Sequence, residues 1–226
     1  MSKFKLLLIL FLFSLTNIFG QLTKEVTHPD IAGRLFRNPA REAAKIQGSP
    51  YLKPFFKEVS VTKIKTIAQM RYNVFNDEFE FISPKKDTLI LDKIEDFGAL
   101  NFVNTSINYK LCNYTNQNEK IVYGYLIDLH QNGEFGLFKK ENISLTEEKI
   151  AKTSLEQNMP AKYYNSGSSY FLKNGKNIIA FPNSKKRLLK IFPEKQVAIE
   201  TFVKDNKIDF DIEADKIKLI DFMAAK

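Results

Sequence analysis

Between positions 57 and 181 the sequence alternates apolar and polar residues in runs broken by short turn-forming pairs, a pattern that demands strands with one buried face. Three of the breaks carry residues that tolerate positive φ: Asn76-Asp77, Asn132-Gly133 and Asn174-Gly175. Three hairpins with no helical run between them predict an antiparallel sheet or partly closed barrel without parallel crossovers. After Phe181 the period changes to that of short helices. The fold class expected is therefore α+β, an antiparallel hairpin sheet or partly closed barrel followed by a C-terminal cluster of short helices.

The first break lies in "MRYNVFNDEFEFI", where Asp77, Glu78 and Glu80 bring three carboxylates together. A two-residue turn at Asn76-Asp77 sets Phe75 opposite Glu78, Val74 opposite Phe79, Asn73 opposite Glu80 and Tyr72 opposite Phe81. Met70, Tyr72, Val74, Phe79 and Phe81 then share one face, and a slip of one residue would scatter them. On that register Asp77 belongs to the turn, while Glu78 and Glu80 line the solvated face with Arg71 diagonal to Glu80. Two carboxyls two residues apart on a strand are also spaced as a glycosidase-like acid/base pair, so Glu78 and Glu80 are the catalytic candidates of an alternative hydrolase reading.

Residues 1–20 hold two lysines, no acid, and the run "LLLILFLF" from Leu6 to Phe13. This order reads as a secretory signal peptide cleaved after Gly20, its apolar run being shorter than the ~20 residues of a membrane-spanning helix. The remaining chain has 32 basic against 26 acidic residues, a net charge of +6 spread along its length. That favours anionic surfaces without the basic stripe of a nucleic-acid binder. In an exported protein the single cysteine, Cys112, excludes an internal disulfide, so packing must stabilise the fold; 44% apolar residues and 20 Phe supply it. From 21 to 56 the chain reads as a surface arm whose one helix is capped by Asn38, begins at Pro39 and ends at Gly48. Residues 57–181 form the β domain, and 182–226 a helical segment packed on the sheet.

The remaining chemistry is sparse. His28 and His130 are remote from each other and from Cys112, so neither a zinc cluster nor a thiol nucleophile with its base is visible, and no metal or cofactor is expected. No Gly-rich phosphate loop or nucleophile elbow is present. Lys185, Lys186 and Arg187 open the first C-terminal helix, where the dipole disfavours cations, and form the candidate polyanion-binding patch. "NTS" at 104, "NYT" at 113 and "NIS" at 142 fit the Asn-glycosylation pattern.

"GSPYL" at 48–52, "RYN" at 71–73 with "NDEFEF" after it, and "YFLKNGK" at 170–176 leading into lysine-rich short helices resemble a widespread group of exported Bacteroidota proteins. The similarity runs from Gly48 to the C-terminus. It implies an exported chain, in the periplasm or at the cell surface, and this layout, and it carries over no catalytic residue. "DTL" at 87–89 fits the O-glycosylation pattern of exported proteins in that phylum. Together these readings give a non-enzymatic envelope or surface protein that binds an envelope protein or anionic glycan surface, with no nucleic acid and no transmembrane helix after cleavage.

Overall fold

The computed structural model describes residues 36–37, 46–153 and 155–225. The expected leader at 1–20 lies outside them, as does all but the end of the expected arm helix. Eleven strands form one sheet: β1 (Phe36–Arg37), β2 (Lys57–Val61), β3 (Thr66–Asn73), β4 (Glu78–Ile82), β5 (Thr88–Leu91), β6 (Leu100–Phe102), β7 (Asn108–Thr115), β8 (Ile121–Asn132), β9 (Phe135–Thr146), β10 (Lys162–Asn174) and β11 (Asn177–Ala180). Among the described residues three α-helices follow, α1 (Lys185–Ile191), α2 (Gln196–Asp205) and α3 (Glu213–Ala224). The class is mixed α+β with a mostly antiparallel sheet, as the alternation predicts.

The strand order is β1-β5-β4-β3-β2-β6-β7-β11-β10-β9-β8, and β7 also pairs with β8. The expectation of purely antiparallel pairing is corrected at two places: β11 meets β7 in parallel through the single pair Ile179↔Thr115, and Gln47 bridges Lys162 at the start of β10 in parallel. Residues 162–167, too polar for the alternation to reveal, extend β10 backwards along β9 with a bulge between Asn165 and Gly167. Arg37 and Phe36 of the arm pair with Ile90 and Leu91 of β5, which the arm reading did not include.

All three hairpins form, but each register is displaced by two residues from the one expected. Asn132 pairs with Phe135 and Asn174 with Asn177, so the central residues are Gly133-Glu134 and Gly175-Lys176. Only the first central residue needs positive φ, and glycine supplies it, at 55° and 59°. In the first hairpin Asn73 pairs with Glu78 and Arg71 with Glu80, which leaves a four-residue loop. The loop does not close on itself because Val74 N and Phe75 N donate to Pro50 O at 3.1 and 3.2 Å, while Asn73 Oδ1 accepts from Asn76 N at 3.1 Å. A displacement of two keeps each side chain on its face, so Met70, Tyr72 and Phe79 are buried together as the pattern requires.

Buried apolar residues form three clusters. Val59, Val61, Tyr72, Phe79, Leu100 and Tyr109 lead the first, under β2–β8. Tyr114, Leu126, Phe138 and Phe171 make the second, between β7, β8, β9 and β10. The third joins Leu137 of β9 and Leu172 of β10 to Leu188, Ile199, Leu219 and Ile220 of the helices, so β9 and β10 are covered on both faces. Ser184 caps α1 by accepting from Arg187 N at 3.4 Å. Pro193, which cannot donate to a preceding turn, separates α1 from α2. Between α2 and α3 the chain turns twice, Ile208 N bonding to Val203 O and Ile212 N to Asp209 O, and buries Ile208 among the helices.

Candidate functional site

The prolines at 50 and 54 deny the segment before β2 the donors of a ladder strand, so it is fastened to the sheet by side chains. Its anchor is Glu80, whose exposure is 0%. Oε1 accepts from Tyr51 OH at 2.6 Å and Asn73 Nδ2 at 3.3 Å; Oε2 accepts from Arg71 Nε at 2.8 Å and lies 2.6 Å from its Nη2. Arg71 also donates from Nη2 to Tyr51 OH at 2.9 Å and from Nη1 to Pro54 O at 3.2 Å. Its guanidinium stacks 4.1 Å from the Tyr51 ring and 4.6 Å from the Phe56 ring. Burial, reinforced by the bond to Glu80, pushes the Tyr51 hydroxyl well above the ordinary tyrosine value.

This corrects the solvated-face assignment. The face carrying Glu80 is covered by residues 51–56, and Arg71 stands directly opposite Glu80 rather than diagonal to it. With both oxygens given to internal donors, Glu80 is the post that holds the segment down. Glu78 is half-buried on the same strand.

Beyond that post the chain walls a groove of about 900 Å³. Leu52, Phe56, Phe102 and Ile107 are half-buried along it, and Phe55 is 75% exposed above them. The rim carries Lys53 and Lys57 and the amides of Gln69 and Asn104. Among the described residues these four side chains make no ion pair or hydrogen bond. Thr105, also on the rim, is committed inward, donating to Phe102 O at 2.9 Å and accepting from Ile107 N at 3.1 Å.

Asp77 proves to be more than a turn residue. At φ 57° it aims its carboxylate back into the sheet. Oδ2 meets Lys93 Nζ at 2.6 Å, and Oδ1 meets Lys140 Nζ at 2.6 Å and Tyr72 OH at 2.5 Å. Tyr125 N donates to Oδ1 at 3.2 Å. Gly124 makes the room, since a Cβ there would collide with Oδ2. The carboxylate so joins the β3–β4 loop to β8 and β9. Burial lowers the Lys140 ammonium from the ordinary lysine value, opposed by Asp77. Tyr72, Tyr109, Tyr114 and Tyr125 around it are all raised by burial first, and after it by the Asp77 charge for Tyr72, Tyr114 and Tyr125 and by Glu141 for Tyr109.

The other residues singled out from the sequence lie apart. Lys185, Lys186 and Arg187 are exposed on the first turn of α1, far along the chain from the groove wall. Cys112 is half-buried against the cluster that holds Tyr114 and Leu126, and burial pushes its thiol up to about 11. His130 Nε2 lies 2.6 Å from Asp221 Oδ1, tying β8 to α3. His28 is outside the described residues. No group of three or more His, Cys, Asp or Glu suited to a metal occurs among the described residues, and none of their helices is long and apolar enough to cross a membrane. Asn104 and Asn113 are exposed, whereas Asn142 is half-buried and its Nδ2 donates to Ser169 Oγ at 3.0 Å. No family model, curated protein or solved structure matches the chain.

Proposed function

We propose that the chain is an exported, non-enzymatic binding module of the periplasm or cell surface, of the Bacteroidota kind that its motifs resemble, which holds an envelope partner in the groove beside residues 52–57. One observation carries this reading: an aromatic side chain, Phe55, stands 75% exposed over a half-buried apolar floor, on a wall fixed by an ion pair whose carboxylate is fully buried. Contacts of this kind, an aromatic anchor on a rigid support with a polar rim, supply most of the energy at protein interfaces. We read β7–β11 as a partly closed barrel that stiffens the frame, on the support of a pairing path that leaves β7 through β8 and returns to it through β11. The excess of basic over acidic residues suits an acidic protein or an anionic glycan.

The hydrolase reading with Glu78 and Glu80 fits the geometry less well. A general acid or nucleophile must reach substrate, and Glu80 is shut behind Tyr51 and Arg71. The test is cross-linking in the native envelope followed by purification of the wild-type chain and of a Phe55→Ala variant. A partner held by the wild type and lost by the variant is the expected result. Equal capture by both, or a hydrolytic activity abolished by Glu78→Gln with Glu80→Gln, would overturn the reading. Export is checked by the intact mass of the native protein, which should begin after Gly20.

A further inference from the structure

Resting on the binding reading above, we infer that the groove takes an extended polypeptide segment that alternates acidic with large apolar side chains. Three features of the groove select that ligand. The floor of Leu52, Phe56, Phe102 and Ile107 requires apolar side chains, and its volume of about 900 Å³ is that of a site for several residues rather than one. The side-chain amides of Gln69 and Asn104 are uncommitted at the rim, and an amide offers both the donor and the acceptor that a peptide backbone presents. An acyl chain could use neither amide. Lys53 and Lys57 provide the charge preference. Neither is paired among the described residues, they flank Phe55 two positions to either side, and Glu58 is the one acid on the lining. An extended ligand with an apolar side chain beside Phe55 places its neighbouring side chains on the other face and at the rim, where carboxylates meet the two ammonium groups.

The wall itself is preorganised for this. Arg71 is held between Tyr51 and Phe56 and bonds to Pro54 O, so the groove is formed before a ligand arrives and its closure costs little on binding.

The experiment is fluorescence anisotropy on the full chain with two labelled peptides, one alternating glutamate with phenylalanine and one alternating lysine with phenylalanine, and with laurate as a competitor. The acidic peptide should bind and weaken as salt rises. Phe55→Ala should weaken it about tenfold. Lys53→Glu with Lys57→Glu should weaken it by about tenfold and transfer preference to the basic peptide, both positions being exposed and without an ion pair or side-chain hydrogen bond among the described residues. Equal binding of both peptides, or an unchanged preference in the charge-reversed variant, would overturn the inference. So would laurate binding at the groove while neither peptide binds. If no peptide binds and Phe55→Ala still abolishes capture of the envelope partner, the ligand class assigned here is wrong and the binding module stands. If Phe55→Ala leaves that capture intact, both fall.

Discussion

The Glu80 carboxylate, at 0% exposure, receives Arg71 Nε at 2.8 Å and lies 2.6 Å from its Nη2. A buried charge of this kind is costly to strand. Arg71→Ala should destabilise the chain by about 3–5 kcal/mol, because Glu80 remains in the interior with its main partner gone. Replacing both, Arg71→Met with Glu80→Leu, should cost clearly less than the single change. Urea melts of the two variants decide it, and a double variant as unstable as Arg71→Ala would show that the stacking of the guanidinium on Tyr51 and Phe56, not the charge pair, holds the wall.

Asn76 and Asp77 adjoin in the same loop and should respond very differently to glycine. Asn76→Gly should lie within about 0.5 kcal/mol of wild type. Asp77→Gly keeps the positive φ but strands Lys93 and Lys140, and with both side chains partly solvated we expect a loss of about 2–3 kcal/mol. Gly124→Ala should cost about 1–3 kcal/mol by pushing the same carboxylate out of place. Combined with Asp77→Gly it should then cost less than the sum, since the group it collides with is absent. Additive losses in a double-mutant cycle would separate Gly124 from Asp77.

Alkaline pH should unfold the chain. Tyr51, Tyr72, Tyr109, Tyr114 and Tyr125 are all raised above the ordinary tyrosine value of 10.0, so the native state keeps protons that the unfolded state releases. Stability from these groups is complete below about pH 10 and falls as pH rises beyond it. Lys140 acts in the opposite sense, because its lowered value favours the native state as its proton leaves. Lys216, also lowered by burial, acts with Lys140, and two lysines against five tyrosines leave the sum destabilising. Tyrosinate absorbance and loss of sheet signal should therefore rise together; tyrosinate appearing well before unfolding would contradict the burial.

How far the sequence discloses this molecule depends on which residues set each feature. Alternation places Met70, Tyr72 and Phe79 on one face whatever the turn, because a displacement of two residues preserves parity. The register of the first hairpin is not legible, because it depends on Pro50 O accepting from Val74 N and Phe75 N, a contact between distant segments; in the other two it turns on which residue takes the positive φ, and glycine rather than the preceding asparagine does. The apolar stripes of α1 and α3 are local and could be read directly, whereas the turns around Ile208 follow from its burial among the helices. Glu80 and Asp77 look like ordinary surface and turn acids because their partners, Tyr51, Lys93 and Lys140, are spread over the chain. Lys140 did leave a signal, since it has the strand parity of the buried Phe138 and so points inward with it. Phe55, directly after Pro54 and outside any alternating run, has no pattern to mark it.

The thiol of Cys112 offers the last test, because it lies beside the same lysine. Burial raises it to about 11, and Lys140 and Lys110 pull it down by less than burial pushes it up. The thiolate is the reactive form, so alkylation of the native chain should be slow at neutral pH. Between pH 8 and 10 the rate should keep rising by about tenfold per unit, where an ordinary thiol of about 8.5 would already level off. In urea the same residue should level off at the ordinary value. Asp77→Gly should change the native rate by less than the urea does, since Lys140 then lacks its carboxylate partner yet the burial that dominates the shift persists. A native thiol levelling off near the ordinary value would mean that Cys112 is not packed against the cluster that holds Tyr114 and Leu126, and with it the interior between β7 and β9 would have to be redrawn.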